Sequence, residues 1–364
     1  MGEPLRVGVV GCGAILRQYL ATFDRLAAVE LVAAADLDPS RSAAVAEGRA
    51  GVRALPVDEL LGADDVDLVL NLTVPRAHAE IARRAIAAGR SVYGEKPLAT
   101  TTAEARQVLA EAAATGVRVG CAPDTVLGTG IQTARRAIDD GLVGRPVSAT
   151  AMMLTPGHER WHPDPDFYYV PGGGPLLDMG PYYVTALVTL LGPVASVVGA
   201  ASRTRDVRTI GSGPRAGEVV AVSTDTHVTG VLVHESGVLS TIVMSFDAVA
   251  TRSANLEVHG ELGSLVVPDP NQFAGEVQLQ RLAGSGWQGL EVSAGYRDAG
   301  RGVGVADLAL TPAGQEPRAD GRLAYHVLDV MESLLRAAQG GGSVAVESTV
   351  DRPAAVPLQS LAAG

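Results

Sequence analysis

Short apolar runs alternate with helical spacings over the first third of the chain. Leu5 to Val10 predicts a buried strand, and Leu16, Leu20, Phe23 and Ala27 follow at helical intervals. Leu31 to Ala35 predicts a second strand that ends at Asp36, and Asp67 to Leu72 another. A helix from about Ala77 to Ala88 is then closed by Gly89. Ser91 to Gly94 predicts a short strand leading into Glu95-Lys96-Pro97. Thr101 and Glu104 have the spacing of a capping box for the next helix, which ends near Gly116, and Val117 to Cys121 closes the series. Strands alternating with helices in this way predict a parallel βαβ sheet over residues 1–122.

The texture changes after about residue 123. A helix from roughly Gly130 to Asp139 precedes a strand-like run at Val147–Leu154 and a loop, 155–174, rich in proline, histidine and aromatic residues. Alternating segments follow at Gly217–Ser223, His227–His234, Val238–Phe246 and Asn255–Val267, with Glu235-Ser236-Gly237 as a short hairpin loop between two of them. A helix near Leu323 to Ala338 comes late. The expected architecture is an α/β Rossmann domain, 1–122, followed by an α+β domain, 123–364, with a large, mostly antiparallel open sheet.

Composition adds three constraints. A net charge of −11 over 364 residues disfavours a nucleic-acid partner, which needs a basic surface. Cys12 and Cys121 alone form neither a disulfide framework nor a metal cluster, and no metal is expected. The first apolar run is too short to span a membrane and no signal-peptide pattern precedes it, so the expectation is a cytoplasmic protein. Of 29 basic residues only Lys96 is lysine. Arginine carries charge equally well but does not release its proton near neutral pH, so a lone lysine suggests a site needing a compact, titratable ammonium.

Gly11-Cys12-Gly13 lies between a strand and a helix, the context in which glycines admit a pyrophosphate to a helix N-terminus. The third fingerprint position is Leu16, where glycine or alanine is expected. Asp36 ends the second strand, where a carboxylate can hold both ribose hydroxyls of NAD and repel a 2′-phosphate. NAD is therefore preferred over NADP, with Arg41 near enough to complicate the preference. Lys96 should project at the carboxyl edge of the sheet, where it can hydrogen-bond a substrate hydroxyl and stabilise a developing alkoxide. Further on, Gly172-Gly173-Gly174 opens a segment of helical spacing that puts Asp178 and Tyr182 on one face.

These motifs, in this order, resemble the Gfo/Idh/MocA family. The markers are Val7 to Ile15 with its glycine turn, Thr73-Val74-Pro75 with His78, Gly89 through Leu98, and Gly172 through Tyr183. The resemblance covers nearly the whole chain. It implies NAD(P)-linked oxidation or reduction of sugars, glycosides, inositols and related polyols, in a homodimer or homotetramer joined through the exposed sheet face. It implies a cofactor site made of Gly11, Gly13, Ala14, Ile15, Asp36, Arg41, Thr73, Pro75, His78, Glu95 and Lys96. Lys96 matches the family's catalytic lysine and Asp178 its active-site aspartate. The family often has a proton-accepting histidine four residues after that aspartate, where this chain has Tyr182.

Trp161 and His162, in the loop His158 to Pro163, are expected to line the substrate pocket, Trp161 by stacking on a sugar ring while His158 or His162 donates hydrogen bonds. His227, His234, His259 and His326 fall on strand or helix patterns and are expected to be structural. Two other functions fit the same motifs: a lyase or glycoside-cleaving enzyme that retains NAD, and a non-catalytic sensor of cofactor or sugar.

Overall fold

The strands of the first unit carry side chains buried on both sides, as a parallel sheet covered by helices on both faces requires. A computed structural model describes residues 3–312 and 314–361. Its first sheet takes β1 (Leu5–Val10), β2 (Val29–Ala35), β3 (Arg53–Ala54), β4 (Leu68–Asn71), β5 (Ser91–Gly94) and β6 (Val119–Cys121). All pair in parallel, in the order β3-β2-β1-β4-β5-β6. This is the strand order of a dinucleotide-binding fold, with its topological switch between β1 and β4. The crossovers are α1 (Leu16–Phe23), α2 (Pro39–Glu47), α3 (Val57–Gly62), α4 (Pro75–Ala87) and α5 (Thr102–Thr115).

Local chemistry explains where these helices begin and end. Asp38 accepts the Ser40 N–H at 3.0 Å and Pro39 occupies the first turn, so α2 is capped. Thr101 accepts the Glu104 N–H at 3.2 Å, as the expected capping box requires, and Gly116 ends α5 at φ +74°. The spacing expected for α1 is corrected. The helix ends at Phe23, so Ala27 lies beyond it, and its buried residues are Leu16, Tyr19, Thr22 and Phe23. A polar-tipped tyrosine on the apolar face had hidden the true stripe. The elements α2, β3 and α3 had no expected counterpart, because β3 is two exposed residues and α3 barely more than one turn.

The second sheet has nine strands: β7 (Pro146–Leu154), β8 (Val194–Ser202), β11 (His227–His234), β12 (Leu239–Ser245), β13 (Leu256–Gly260), β14 (Gly263–Val267), β15 (Gln278–Arg281), β16 (Gln288–Gly289) and β17 (Ser343–Ala345). Their order is β16-β15-β14-β13-β7-β12-β11-β8-β17, antiparallel throughout except for the parallel pair β7–β12. Two expectations are corrected by this sheet. Asn255–Val267 is two strands, β13 and β14, turned at Glu261-Leu262; Gly260, whose added Cβ would lie 2.3 Å from the Val143 carbonyl oxygen, marks the bend. Gly217–Ser223 does not join the large sheet. Its strand β10 (Val219–Ala221) pairs only with β9 (Val207–Thr209) in a separate ribbon.

Helix α6 (Thr129–Asp139) precedes β7, and α7 (Pro175–Leu191) lies against β7, β11 and β12. Almost every residue of α7 is buried, which accounts for a sequence apolar nearly all round. Compact packing does not follow chain order. Residues 294–325, with α8 (Val303–Leu310), and residues 353–361 pack with the parallel-sheet unit; 130–293 and 326–352, with most of α9 (Gly321–Gly340), form the other. The expected second domain, 123–364, thus differs from the contact unit. The change in strand texture near residue 123 is visible in the sequence, whereas the chain's return to the first unit has no local signal.

Candidate active site

In the parallel-sheet unit, the turn after β1 is built for close approach. Gly11 has φ +99°, and a Cβ there would sit 2.6 Å from the Leu72 carbonyl oxygen. Gly13 faces open space, with nothing within 4 Å of an added Cβ. Asp36 secures the turn: its Oδ2 accepts the Cys12 N–H at 2.7 Å and its Oδ1 the Asp38 N–H at 2.9 Å. A carboxylate has about four acceptor positions, so this leaves capacity for a diol. Burial and the Asp36 charge push the Cys12 thiol up to about 11, so it stays protonated at neutral pH.

These groups line a cleft of about 1060 Å³ that brings together Gly11, Gly13, Asp36, Arg41 and Thr73 of the expected cofactor set. Its size and open glycine turn fit an adenosine diphosphate moiety. Arg41 is exposed and its Nε lies 3.5 Å from Asp38 Oδ2. Ala14 and Ile15 precede α1, Ile15 as its N-cap residue, and Pro75 opens α4. Leu16 at the third fingerprint position is 3% exposed and packs in the core.

His78 is placed differently from the cofactor-facing position expected of it. It is buried, with Nδ1 2.6 Å from the Pro97 carbonyl oxygen and Nε2 3.0 Å from that of Thr73. Asn71 in turn donates to the His78 carbonyl at 3.0 Å. One side chain therefore ties the loop after β4 to the loop after β5.

Glu95 and Lys96 follow β5 at the carboxyl edge of the sheet, half-buried, with a cis bond between Lys96 and Pro97. Glu95 braces this loop: its Oε1 accepts the Tyr19 hydroxyl at 2.9 Å and its Oε2 the Lys96 N–H at 3.0 Å. Tyr19 is fully buried, and burial beside Glu95 and Asp124 pushes its pKa far up, so it stays a donor. Asp124 is also fully buried. Burial pushes its carboxyl up to about 6, opposed by the N–H groups of Gly304 and Gly302, which it accepts at 3.0 and 2.8 Å. Neither Tyr19 nor Asp124 was expected from the sequence; Tyr19 three residues after Leu16 on a buried face was the available signal.

In the other unit, α7 begins directly after the glycine run. Asp178 is half-buried in its first turn and Tyr182, one turn on, is 6% exposed. Asp178 Oδ2 lies 3.1 Å from Nε2 of His158, which stands on a short 3-10 turn, His158–Arg160. The His158 ring touches Phe246, Tyr168 and Trp161, with centroids at 4.4, 4.8 and 5.1 Å. Trp161 is 59% exposed, so its face is available to a ligand, and His162 accepts the Asp164 N–H at 3.1 Å. Metal-binding groups of three or more acidic, histidine or cysteine residues do not occur among the described residues.

Beneath this loop lies an ion network with no sequence expectation. Arg208 donates to Glu159 Oε1 at 3.0 Å and the Pro156 carbonyl at 3.1 Å, and its other terminal nitrogen pairs with Asp247. Tyr169 donates to Glu159, and Thr226 to Asp247 at 2.6 Å. The signal was Arg208 itself, a charge buried between exposed Val207 and Thr209 on a strand. The other histidines serve the fold: His234 contacts the Gly192 carbonyl and Ser240, His326 accepts the Val194 N–H, and His227 and His259 contact strand serines.

A glycine turn, an acidic strand end and a lysine at the sheet's carboxyl edge define a dinucleotide-dependent oxidoreductase. Comparison gives the family. A model described as "Oxidoreductase family, NAD-binding Rossmann fold" matches residues 5–122, and one for the "GFO/IDH/MocA C-terminal domain" matches 131–266. The chain belongs to the Gfo/Idh/MocA family of NAD-binding oxidoreductases. It is 31% identical over 268 residues to 1,5-anhydro-D-fructose reductase of Ensifer adhaerens, covering 72% of this chain and 75% of that one. It is 34% identical over 157 residues to inositol 2-dehydrogenase 3 of Saccharopolyspora erythraea, covering 42% and 46%. An NAD-binding oxidoreductase from Klebsiella pneumoniae shares the fold at TM-score 0.79 and 23% identity, covering 95% of this chain and 99% of that one. No helix among the described residues is long and apolar enough to cross a membrane.

Proposed function

We propose that this protein oxidises a secondary hydroxyl of a sugar, glycoside or cyclitol, or reduces the matching ketone, with Lys96, Asp178 and Tyr182 acting on the substrate. The observation that carries the reading is the chain's one lysine, set on a braced loop at the carboxyl edge of the parallel sheet. The relatives' names supply the substrate class: an anhydrofructose reductase and inositol dehydrogenases. Bound NAD supplies a hydride acceptor for the oxidation and, reduced, a donor for the reverse.

In the oxidation the C–H bond breaks and its hydrogen would leave with the electron pair to the acceptor that NAD supplies, the hydroxyl proton departs to a protein base, and a carbonyl forms. Lys96 hydrogen-bonds the reacting hydroxyl and stabilises the developing negative charge on its oxygen. Tyr182 shuttles the proton, and Asp178 accepts a neighbouring hydroxyl and orients the ring. Trp161 offers an exposed aromatic face to the apolar side of a sugar or cyclitol. Asp36 favours NAD over NADP, since a 2′-phosphate would approach its carboxylate. We assign the outer face of the nine-stranded sheet, where Val198 and Leu239 are about half exposed, to contact with further copies of this chain.

The test is NADH absorbance with purified protein, NAD or NADP, and a panel of inositols, aldoses and simple glycosides. Substrate-dependent reduction of NAD is expected. Silence across the panel, with cofactor copurifying in the protein, would overturn the dehydrogenase reading.

A further inference from the structure

We propose that His158 is a positioning residue for Asp178, so that the carboxylate at the start of α7 is held by an imidazole from the preceding loop. The inference rests on the assignment of Asp178 to the substrate. Tyr182, one helical turn after the aspartate, is buried on the helix itself. The imidazole reaches the carboxylate from outside the helix, at 3.1 Å.

The ring has one polar contact and an apolar cage. His158 is 8% exposed, its Nε2 faces Asp178, and its buried Nδ1 has no hydrogen-bond partner among the described residues. With the hydrogen on Nε2, the ring donates to the carboxylate and buries only a lone pair. With it on Nδ1, the ring would bury an N–H without an acceptor and turn a lone pair toward the carboxylate. The packing therefore selects the tautomer that donates to Asp178. Phe246, Tyr168 and Trp161 prevent the ring from turning away.

The backbone beneath is held as firmly. Gly157 enters the turn at φ +111°, and the Gly211 N–H donates to the Glu159 carbonyl at 2.7 Å. The nearby charges Glu159, Arg208 and Asp247 are paired with one another. His158 acts through Asp178: by taking one carboxylate oxygen it fixes the plane in which that group meets a substrate hydroxyl. Misplacing an orienting group by about 1 Å can cost ~100-fold in rate.

The experiment compares wild type, His158→Phe and His158→Gln with NAD and the substrate found active in the panel. Phenylalanine keeps the ring's shape without the donor; glutamine restores an N–H donor. We expect His158→Phe to lose about 10- to 100-fold in kcat with NAD affinity unchanged, and His158→Gln to recover most of it. Long-range proton–nitrogen NMR of the wild type, which needs no substrate and no variant fold, should show His158 protonated on Nε2. Full kcat in His158→Phe, or an Nδ1-protonated ring, overturns the proposal. A wild type silent toward every substrate instead overturns the functional reading, and the NMR result then stands by itself.

Discussion

Lys96 sits just beyond a strand and Asp178 in the first turn of a helix, and their surroundings are built from different materials. The Lys96 loop is held chiefly through main-chain groups and one hydroxyl: His78 lies between two carbonyls, and Glu95 accepts a tyrosine hydroxyl and a backbone N–H. The loop that meets Asp178 rests on a charged network, with Arg208 between two carboxylates and almost wholly buried. The first arrangement tolerates small losses, because each hydrogen bond contributes about 1 kcal/mol net. The second is all or none, because removing one charge strands its partners away from water.

The sharpest test of this contrast is Lys96→Met. It should lower kcat by about 10³-fold or more, while the NAD dissociation constant from fluorescence titration changes by less than about threefold. Normal turnover would remove Lys96 from the chemistry. Arg208→Met comes next. It leaves Glu159 and Asp247 buried without their cation, and urea unfolding should show a loss of about 3–5 kcal/mol. A loss below about 1 kcal/mol would erase the distinction between the two loops.

Asp124 sharpens the comparison from the other side, as a buried carboxyl held by main-chain N–H groups. Its folded pKa of about 6 lies above the ordinary 3.8, so the folded state takes up its proton more readily. Its contribution to stability is full below about pH 4 and is lost as pH rises through about 6. Each tenfold gain in proton affinity is worth ~1.4 kcal/mol, which brings the whole contribution to about 3 kcal/mol. Asp124→Asn should remove this slope from unfolding free energies measured between pH 4 and 7; an unchanged slope would assign it to other groups. The smallest effect is expected for His78→Phe: about a tenfold fall in kcat with NAD affinity nearly kept, because the Lys96 loop loses one of several supports.

The parallel sheet was readable because its signals are local. A strand, a glycine turn and a capped helix each declare themselves within a few residues, and Asp36 and Lys96 fall where those elements end. The second unit was less readable for the opposite reason. The pairing of His158 with Asp178 spans 20 residues, and that of Arg208 with Glu159 spans 49; neither has a periodic signature. The loop 155–174 was recognised by its aromatic residues, but which histidine met the carboxylate depended on packing. The same limit hid the return of residues 294–325 to the first unit, since tertiary contact alone decides it. His78 was noticed for its motif, but its contacts with the Pro97 and Thr73 carbonyls were not, because a motif marks a position without saying which way a side chain turns.

The chain's one lysine also makes it unusual to handle at the bench. Apart from the α-amine at the N-terminus, Lys96 carries its only amine. Acylating reagents, amine-coupled surfaces and aldehyde cross-linkers therefore have one internal point of attachment, half-buried beside a proline. For most proteins such labelling spreads over the surface and reports little. Here modification at Lys96 counts open sites, and a bound ligand that covers this side chain should leave only the α-amine to react.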